Sequence, residues 1–367
     1  MKVFCNRSDL NRALNNVGHA VPTRTTSNIL EGILFEAYGE VLKLTATDTT
    51  ITIESVIPAD VEDSASFVLP AKLLTSIVSK LPEEEVMLDI NEEQMKVNLV
   101  SGTSSTELVS FSADEFPKFM LSGGHNSVNI RKEDIKKLIR KTAFSASTDD
   151  FNGVLTGVLL EMADGNMKMV AVDPFRIATF NVDVDNSSSI SVIIPAKLAT
   201  DVSRIIADDG EEYMTIEIID NKVVMIFDNN QVTVNTFNGK FIDYNRILGR
   251  EGQINIRVKR QELLKSIDRA SLLSSVKNNN LIKFTIKDSN INITSLSEEG
   301  RIDENVEIIK EGDDLVIGMN AKYLKDALSA IDDEEIMINM KDQVSPCIIK
   351  PLKGDRYIYL VLPIRIN

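Results

Sequence analysis

The chain has 367 residues, too many for one ordinary domain, so two to four domains are expected. Hydrophobic residues at 43% and charged residues at 26% fit a globular protein with a full core and exclude a disordered, collagen-like or membrane-embedded chain. Lys and Arg number 40 against 55 Asp and Glu, a net charge of −15 that on average repels nucleic acid and anionic membranes.

Residues 1–10, MKVFCNRSDL, lack the apolar centre of a signal peptide. No run approaches the roughly 18 apolar residues of a membrane span. With Cys5 and Cys347 in no metal-ligand spacing, a reducing cytoplasmic location without disulfides is expected. Residues 3–14 read as a short alternating strand entering a helix near Ser8, followed by GILFE at 32–36, TATD ending at Asp48, and PAKLLTSI at 70–77. The same order returns further on: a strand and helix at 128–139, GVLLE at 157–161, VAVD ending at Asp173, and PAKLATDV at 195–202. It returns again, more weakly, as a strand and helix at 256–267 and NAKYLKDA at 320–327.

A constant offset of 125 residues between the PAKL-type segments implies three tandem copies of one domain. Turn-rich Ser122-Gly123-Gly124 and Gly249-Arg250-Glu251-Gly252 place the boundaries at 1–124, 125–250 and 251–367. Alternation at Val97/Leu99, Ile216/Ile218 and Ile336/Ile338, with a hairpin turn at Ala163-Asp164-Gly165-Asn166, predicts antiparallel strands. Each copy adds two helices, beginning near Ser8 and Pro70, Arg131 and Pro195, and Lys259 and Asn320. Pro70 and Pro195 suit a first helical position and Asn320 an N-cap. The fold class is α+β: two helices packed on antiparallel sheets, three times over.

Taken over residues 8–20, 70–80, 131–144, 195–207, 259–274 and 320–331, the predicted helices carry a clear excess of Lys and Arg, so everything else is more acidic than the whole. In the third helix Ile135, Leu138, Ile139 and Thr142 mark the buried stripe, and Lys132, Lys136 and Arg140 form an i, i+4 row elsewhere. One such face is ordinarily just solvated. Summed over six helices in an acidic chain, the excess suits helices converging on a polyanion, and duplex DNA is the obvious one. Arg204, Lys265 and Arg269 join the row on this reading.

Catalytic signals are thin. Only His19 and His125 are present, and no nucleophile, metal-ligand or phosphate-loop pattern appears, so no catalytic residue, metal or cofactor is expected. Asp48 and Asp173 recur at matching places and read as turn formers. Two alternatives stand beside the DNA reading: a DNA-processing enzyme with a metal site at Asp48, Asp173 or Asp243, and a protein-only scaffold. Apolar types at 359–367 and in Pro174-Phe175-Arg176-Ile177 suggest either a docking groove or a last strand that completes a core.

The pieces VDPFRI at 172–177, FIDYNRIL at 241–248, NAKYL at 320–324 and LPIR at 362–365, on three tandem α+β copies, resemble the bacterial sliding clamps, the beta subunits of DNA polymerase III. The resemblance covers the whole chain and implies a head-to-tail homodimer closed into a ring of six domains with helices lining the hole. It implies sequence-independent binding of double-stranded DNA, with Arg24 and Lys72 at DNA-contacting places and Lys197 standing in the second copy where Lys72 stands in the first.

It also implies a groove for peptides of the replicative polymerase, the clamp loader and other DNA-processing proteins. The second copy would supply Leu155, Val172, Pro174, Phe175, Arg176, Ile177, Ile242, Arg246 and Ile247. The third would supply Asn320, Tyr323, Val344, Pro346, Val361, Leu362, Pro363, Ile364 and Arg365, with the arginines holding polar parts of the peptide. Leu272, Leu273 and Leu108 match positions at the ring seam. Departures from the family pattern are Gly153-Val154 in place of an aromatic pair, Pro174-Phe175 in place of Gly-His, and Ile242 in place of a proline.

Overall fold

The computed structural model describes residues 1–117, 126–185, 189–208, 210–249, 252–274 and 279–366. The expected linker at 122–124 and His125 lie outside them. In the first copy β1 (Lys2–Asn6) leads into α1 (Arg7–Gly18), followed by β2 (Gly32–Tyr38), β3 (Val41–Thr47), β4 (Ile51–Val61) and β5 (Ala65–Pro70). Then come α2 (Ala71–Val78), β6 (Glu85–Asn91), β7 (Lys96–Ser101), β8 (Ser104–Val109) and the two-residue β9 (Phe111–Ser112).

The second copy repeats the order with β10 (Asn126–Arg131), α3 (Lys132–Thr142), β11 (Gly157–Ala163), β12 (Asn166–Asp173), β13 (Arg176–Asp183) and β14 (Ile190–Pro195). It continues with α4 (Ala196–Ile205), β15 (Tyr213–Ile219), β16 (Lys222–Phe227), β17 (Asn230–Asn235) and a short α5 (Asn245–Leu248). The third has β18 (Ile254–Lys259), α6 (Arg260–Ser271), β19 (Leu281–Lys287), β20 (Asn290–Ser297), β21 (Gly300–Glu307) and β22 (Ile309–Glu311). It ends with β23 (Leu315–Asn320), α7 (Ala321–Ser329), β24 (Glu335–Met340), β25 (Cys347–Pro351) and β26 (Tyr357–Val361).

Helix starts follow their caps. Asn6 accepts the Ser8 and Asp9 N–H groups at the head of α1, and Asn320 accepts the Tyr323 N–H at 3.1 Å at the head of α7. Pro70 and Pro195 stand one place earlier than expected, as the last residues of β5 and β14, and the helices open on the alanines that follow. The 163–166 turn has Asp164 and Gly165 both at positive φ, which joins β11 to β12 as a tight hairpin.

The chain forms two compact units, Met1–Lys132 with Arg204–Thr236, and Glu133–Ser203 with Phe237–Asn367. Every strand pairing among the described residues is antiparallel. In the first unit the sheet runs β10-β15-β16-β17-β4-β1-β6-β7-β8, with β2, β3, β5 and β9 joined alongside. Second-copy β17 pairs directly with first-copy β4, Val232 opposite Ile53. Leu10, Leu14 and Val17 of α1, spaced for one helix face, are buried where α1 packs on β3 and β4.

In the second unit one sheet runs β14-β11-β12-β13-β26-β25-β24-β18-β22, and a four-stranded sheet runs β21-β20-β19-β23. Here too a sheet passes between copies: β13 pairs with β26, Thr179 opposite Ile358. α6 packs against α7 and buries Leu263, Ile267 and Ala270. The strand registers Arg176 opposite Val361, and Val361 opposite Cys347, set β13, β26 and β25 level at one end. The turn before β13, the segment after β26 and the loop before β25 therefore emerge together.

Candidate peptide groove and nucleic-acid face

The β12–β13 turn opens the site. Asp173 Oδ1 accepts the Phe175 and Arg176 N–H groups at 2.8 and 2.9 Å. In the first copy Asp48 Oδ1 does the same for Thr50 and Ile51 at 2.8 and 2.9 Å. Both aspartates are turn formers, as their repetition suggested. Pro174 and Phe175 stand exposed at the tip, while Arg176 turns inward and is only 8% exposed.

Arg176 is fully engaged. Its Nε donates to Asp173 Oδ2 at 2.8 Å, its Nη1 to Asp326 Oδ2 of α7 at 2.7 Å, and its Nη2 to the Phe144 carbonyl at 2.6 Å. The guanidinium also lies 4.4 Å from the centre of the Tyr323 ring. The expectation that Arg176 holds polar parts of a peptide is corrected, because turning outward would strand two carboxylates. Phe175, 54% exposed, stacks on Tyr323 with ring centres 6.2 Å apart. Burial, with Asp173 nearby, raises the Tyr323 phenol pKa and keeps it neutral.

Beneath the turn lies one apolar cluster that includes Leu159, Val172, Ile177, Phe241, Tyr244 and Leu360, with Val154, Leu155, Ile247, Leu248 and Leu362 packed at its margin. Val172 and Ile177 are thus a buried floor and not exposed walls. Val361 is buried as well, because β26 completes the sheet between β13 and β25. Of the 359–367 segment, residues 359–361 complete a core strand, and the half-buried part begins at Leu362. Asn320 is another correction: it is buried, capping α7 and donating to the Asn279 carbonyl at 2.8 Å.

Ile242, Arg246, Val344 and Arg365 are exposed, and Pro346, Pro363 and Ile364 are half-buried. Arg246 reaches Asp243 at 3.3 Å, an exposed pair of small energetic weight. Sequence reading missed Phe241 and Tyr244, which anchor α5; the Tyr244 hydroxyl donates to Glu161 at 2.5 Å. Burial first, then that bond, raises the Tyr244 pKa. Both residues lay inside FIDYNRIL, but nothing in a short irregular segment marks which of its side chains face inward.

Three family models match nearly the whole chain: the N-terminal domain of the DNA polymerase III beta subunit over residues 1–120, its central domain over 129–243 and its C-terminal domain over 245–365. The chain belongs to the DNA polymerase III beta subunit family. It is 30% identical over 378 aligned positions to the beta sliding clamp of Bacillus subtilis, with all of both chains covered. With the clamp of Staphylococcus aureus it is 32% identical over 363 positions, 96% of each. The crystal structure of the Bacillus subtilis clamp matches with a TM-score of 0.96 at 30% identity, and that of the Pseudomonas aeruginosa clamp bound to griselimycin with 0.94 at 26%, each over all of both chains. The fold is three tandem clamp domains.

On the helices of this clamp the cations divide. Lys72, Lys197, Arg204 and Lys265 are exposed, as is Arg24 in the loop after α1. Lys136 is half-buried, and exposed Arg140 lies 3.7 Å from Asp332. Arg269 is exposed but binds Glu304 through two N–H groups at 2.7 and 2.6 Å, which offsets its charge. Lys141 is buried, donating to the Ala330 carbonyl at 2.7 Å and Asp332 at 2.6 Å. Burial lowers its pKa against the pull of Asp332.

Lys132 departs from the expected basic row. It is 5% exposed, and its Nζ donates to both carboxylate oxygens of Asp228 at 2.9 and 2.8 Å. At the first position of α3 it lies on the inner side, drawn to the β16–β17 turn. Lys132→Met is expected to lower stability by about 2 kcal/mol while leaving retention on DNA unchanged. Thermal denaturation beside a DNA-retention assay checks this; lost retention at unchanged stability would restore Lys132 to the basic face.

The expected seam residues also separate. Leu272, at the C-terminal cap of α6, is 77% exposed and Leu273 half-buried. Leu108 is corrected: it is buried in its own core, because alternation along β8 turns Leu108 inward and leaves its neighbour Val109 62% exposed.

Proposed function

We propose that this chain is a non-catalytic processivity clamp, a head-to-tail homodimer closed into a ring around duplex DNA that tethers the replicative polymerase and other DNA-processing proteins. The observation that carries the reading is full-length similarity to beta sliding clamps, in sequence and in fold together. The clamp domains would divide at 1–124, 125–250 and 251–367. Exposed Arg24, Lys72 and Arg204 in the first unit, and exposed Lys197 and Lys265 in the second, support DNA binding through phosphate-directed cations in a chain of net charge −15. Phosphate contacts carry no base readout, so the ring slides, and closure rather than affinity holds it on.

The peptide site is the surface around Leu155, Phe175, Tyr323, Val344 and Leu362–Arg365. An apolar floor and the exposed Arg246 and Arg365 favour short peptides with apolar anchors and acidic groups, from the polymerase and the clamp loader in turn. The setting is the cytoplasm. Clamp loaded on nicked circular DNA should stay bound and should leave when that DNA is linearised. Equal retention on both forms overturns encirclement.

A further inference from the structure

We infer that Gly318 is a positioning residue of the peptide groove: it is glycine so that the tail can lie against β23 through one antiparallel bridge, which holds Leu362–Arg365 where a partner peptide meets them. The inference rests on the groove reading above and names what fixes one of its walls.

The tail is tied at two points. The Leu362 N–H donates to the Phe175 carbonyl at 2.8 Å, and the Ile364 N–H donates to the Gly318 carbonyl at 2.8 Å, where the two strands form an antiparallel bridge. Pro363, between them, has no N–H to place. One tie therefore goes to the β12–β13 turn and the other to β23, and β23 stands at the end of the four-stranded sheet. The tail covers an edge that would otherwise be open to strand addition.

Gly318 is not required by its backbone conformation, since its φ lies outside the left-handed region. It is required by space. A Cβ there would lie 2.6 Å from the Ile364 carbonyl oxygen, 2.9 Å from Leu281 Cδ1 and 3.0 Å from Ile366 Cγ2. The leucine and isoleucine tips can turn aside, but the oxygen belongs to backbone held by the bridge. A side chain at 318 therefore lifts the tail, while the rest of β23 keeps its pairing with β19.

The test measures binding of a fluorescein-labelled peptide from the cognate replicative polymerase to the full-length dimer by fluorescence anisotropy. Gly318→Ala is expected to weaken binding about tenfold and to speed hydrogen exchange at the Ile364 amide, with dimer mass unchanged. Ile364→Pro, which removes the same N–H without adding bulk to β23, should weaken binding by a similar factor. In a chain lacking 363–367, where binding is already weak, Gly318→Ala should cause no further loss, the non-additivity expected of two changes acting through one element. If the deletion leaves affinity at the full-length value, the groove reading falls and this inference with it. If the deletion weakens binding but both point variants bind like the parent, or Gly318→Ala weakens the truncated chain as much as the full one, Gly318 does not position the tail.

Discussion

Arg176→Ala should destabilise the second unit by about 3 kcal/mol and abolish binding of a polymerase peptide in the same protein. The guanidinium spans Asp173, Asp326 and the Phe144 carbonyl, and it lies against the Tyr323 ring. Asp173 keeps its two backbone donors and Asp326 is partly open to water, so the loss falls at the lower end of what a broken buried pair costs. The Phe175–Tyr323 stack loses the guanidinium that lies against Tyr323 and that pairs with Asp173, the acceptor of the Phe175 N–H, so the stack is expected to loosen. Arg176→Lys should recover little, because a point charge on a flexible stem cannot serve three acceptors and a ring face together. Thermal unfolding and peptide titration give the two readouts. Unchanged stability with lost peptide binding would make Arg176 a direct ligand after all.

Leu272→Asp combined with Leu273→Asp is expected to give monomers, raising the dimer dissociation constant about a thousandfold. Leu272 is a large apolar side chain left almost bare at the end of a helix, as a buried position in an assembly would be. A head-to-tail seam occurs twice in a closed dimer, so each substitution places unpaired charge in both seams. In the first copy β8 is a sheet edge, and its exposed apolar residue is Val109. Val109→Asp should therefore also break the dimer, whereas Leu108→Asp should unfold the first copy from within. Sedimentation that reports halved mass for the first two confirms the seam; an unchanged dimer mass for Leu272→Asp/Leu273→Asp would displace it.

The repeat, the two helices per copy, the antiparallel hairpins, the asparagine cap at 320 and the aspartate turns at 48 and 173 were all determined by the sequence alone. Each rests on interactions within a few residues: side-chain periodicity, a cap reaching the next turn, a carboxylate accepting the N–H groups just after it. The tertiary structure decided which side chains of one pattern face inward. Lys132 and Arg140 share a helical row, yet Asp228 draws only Lys132 into the interior. Arg176 sits in an apolar motif and is sealed in by Asp326, 150 residues away. In the fold β17 of the second copy joins β4 of the first and β13 of the second joins β26 of the third, and the pairing of β26 with both β13 and β25 brings 174–175, 344–346 and 362–365 to one place. Burial and charge pairing depend on partners remote along the chain, and local periodicity holds no information about which remote partner arrives.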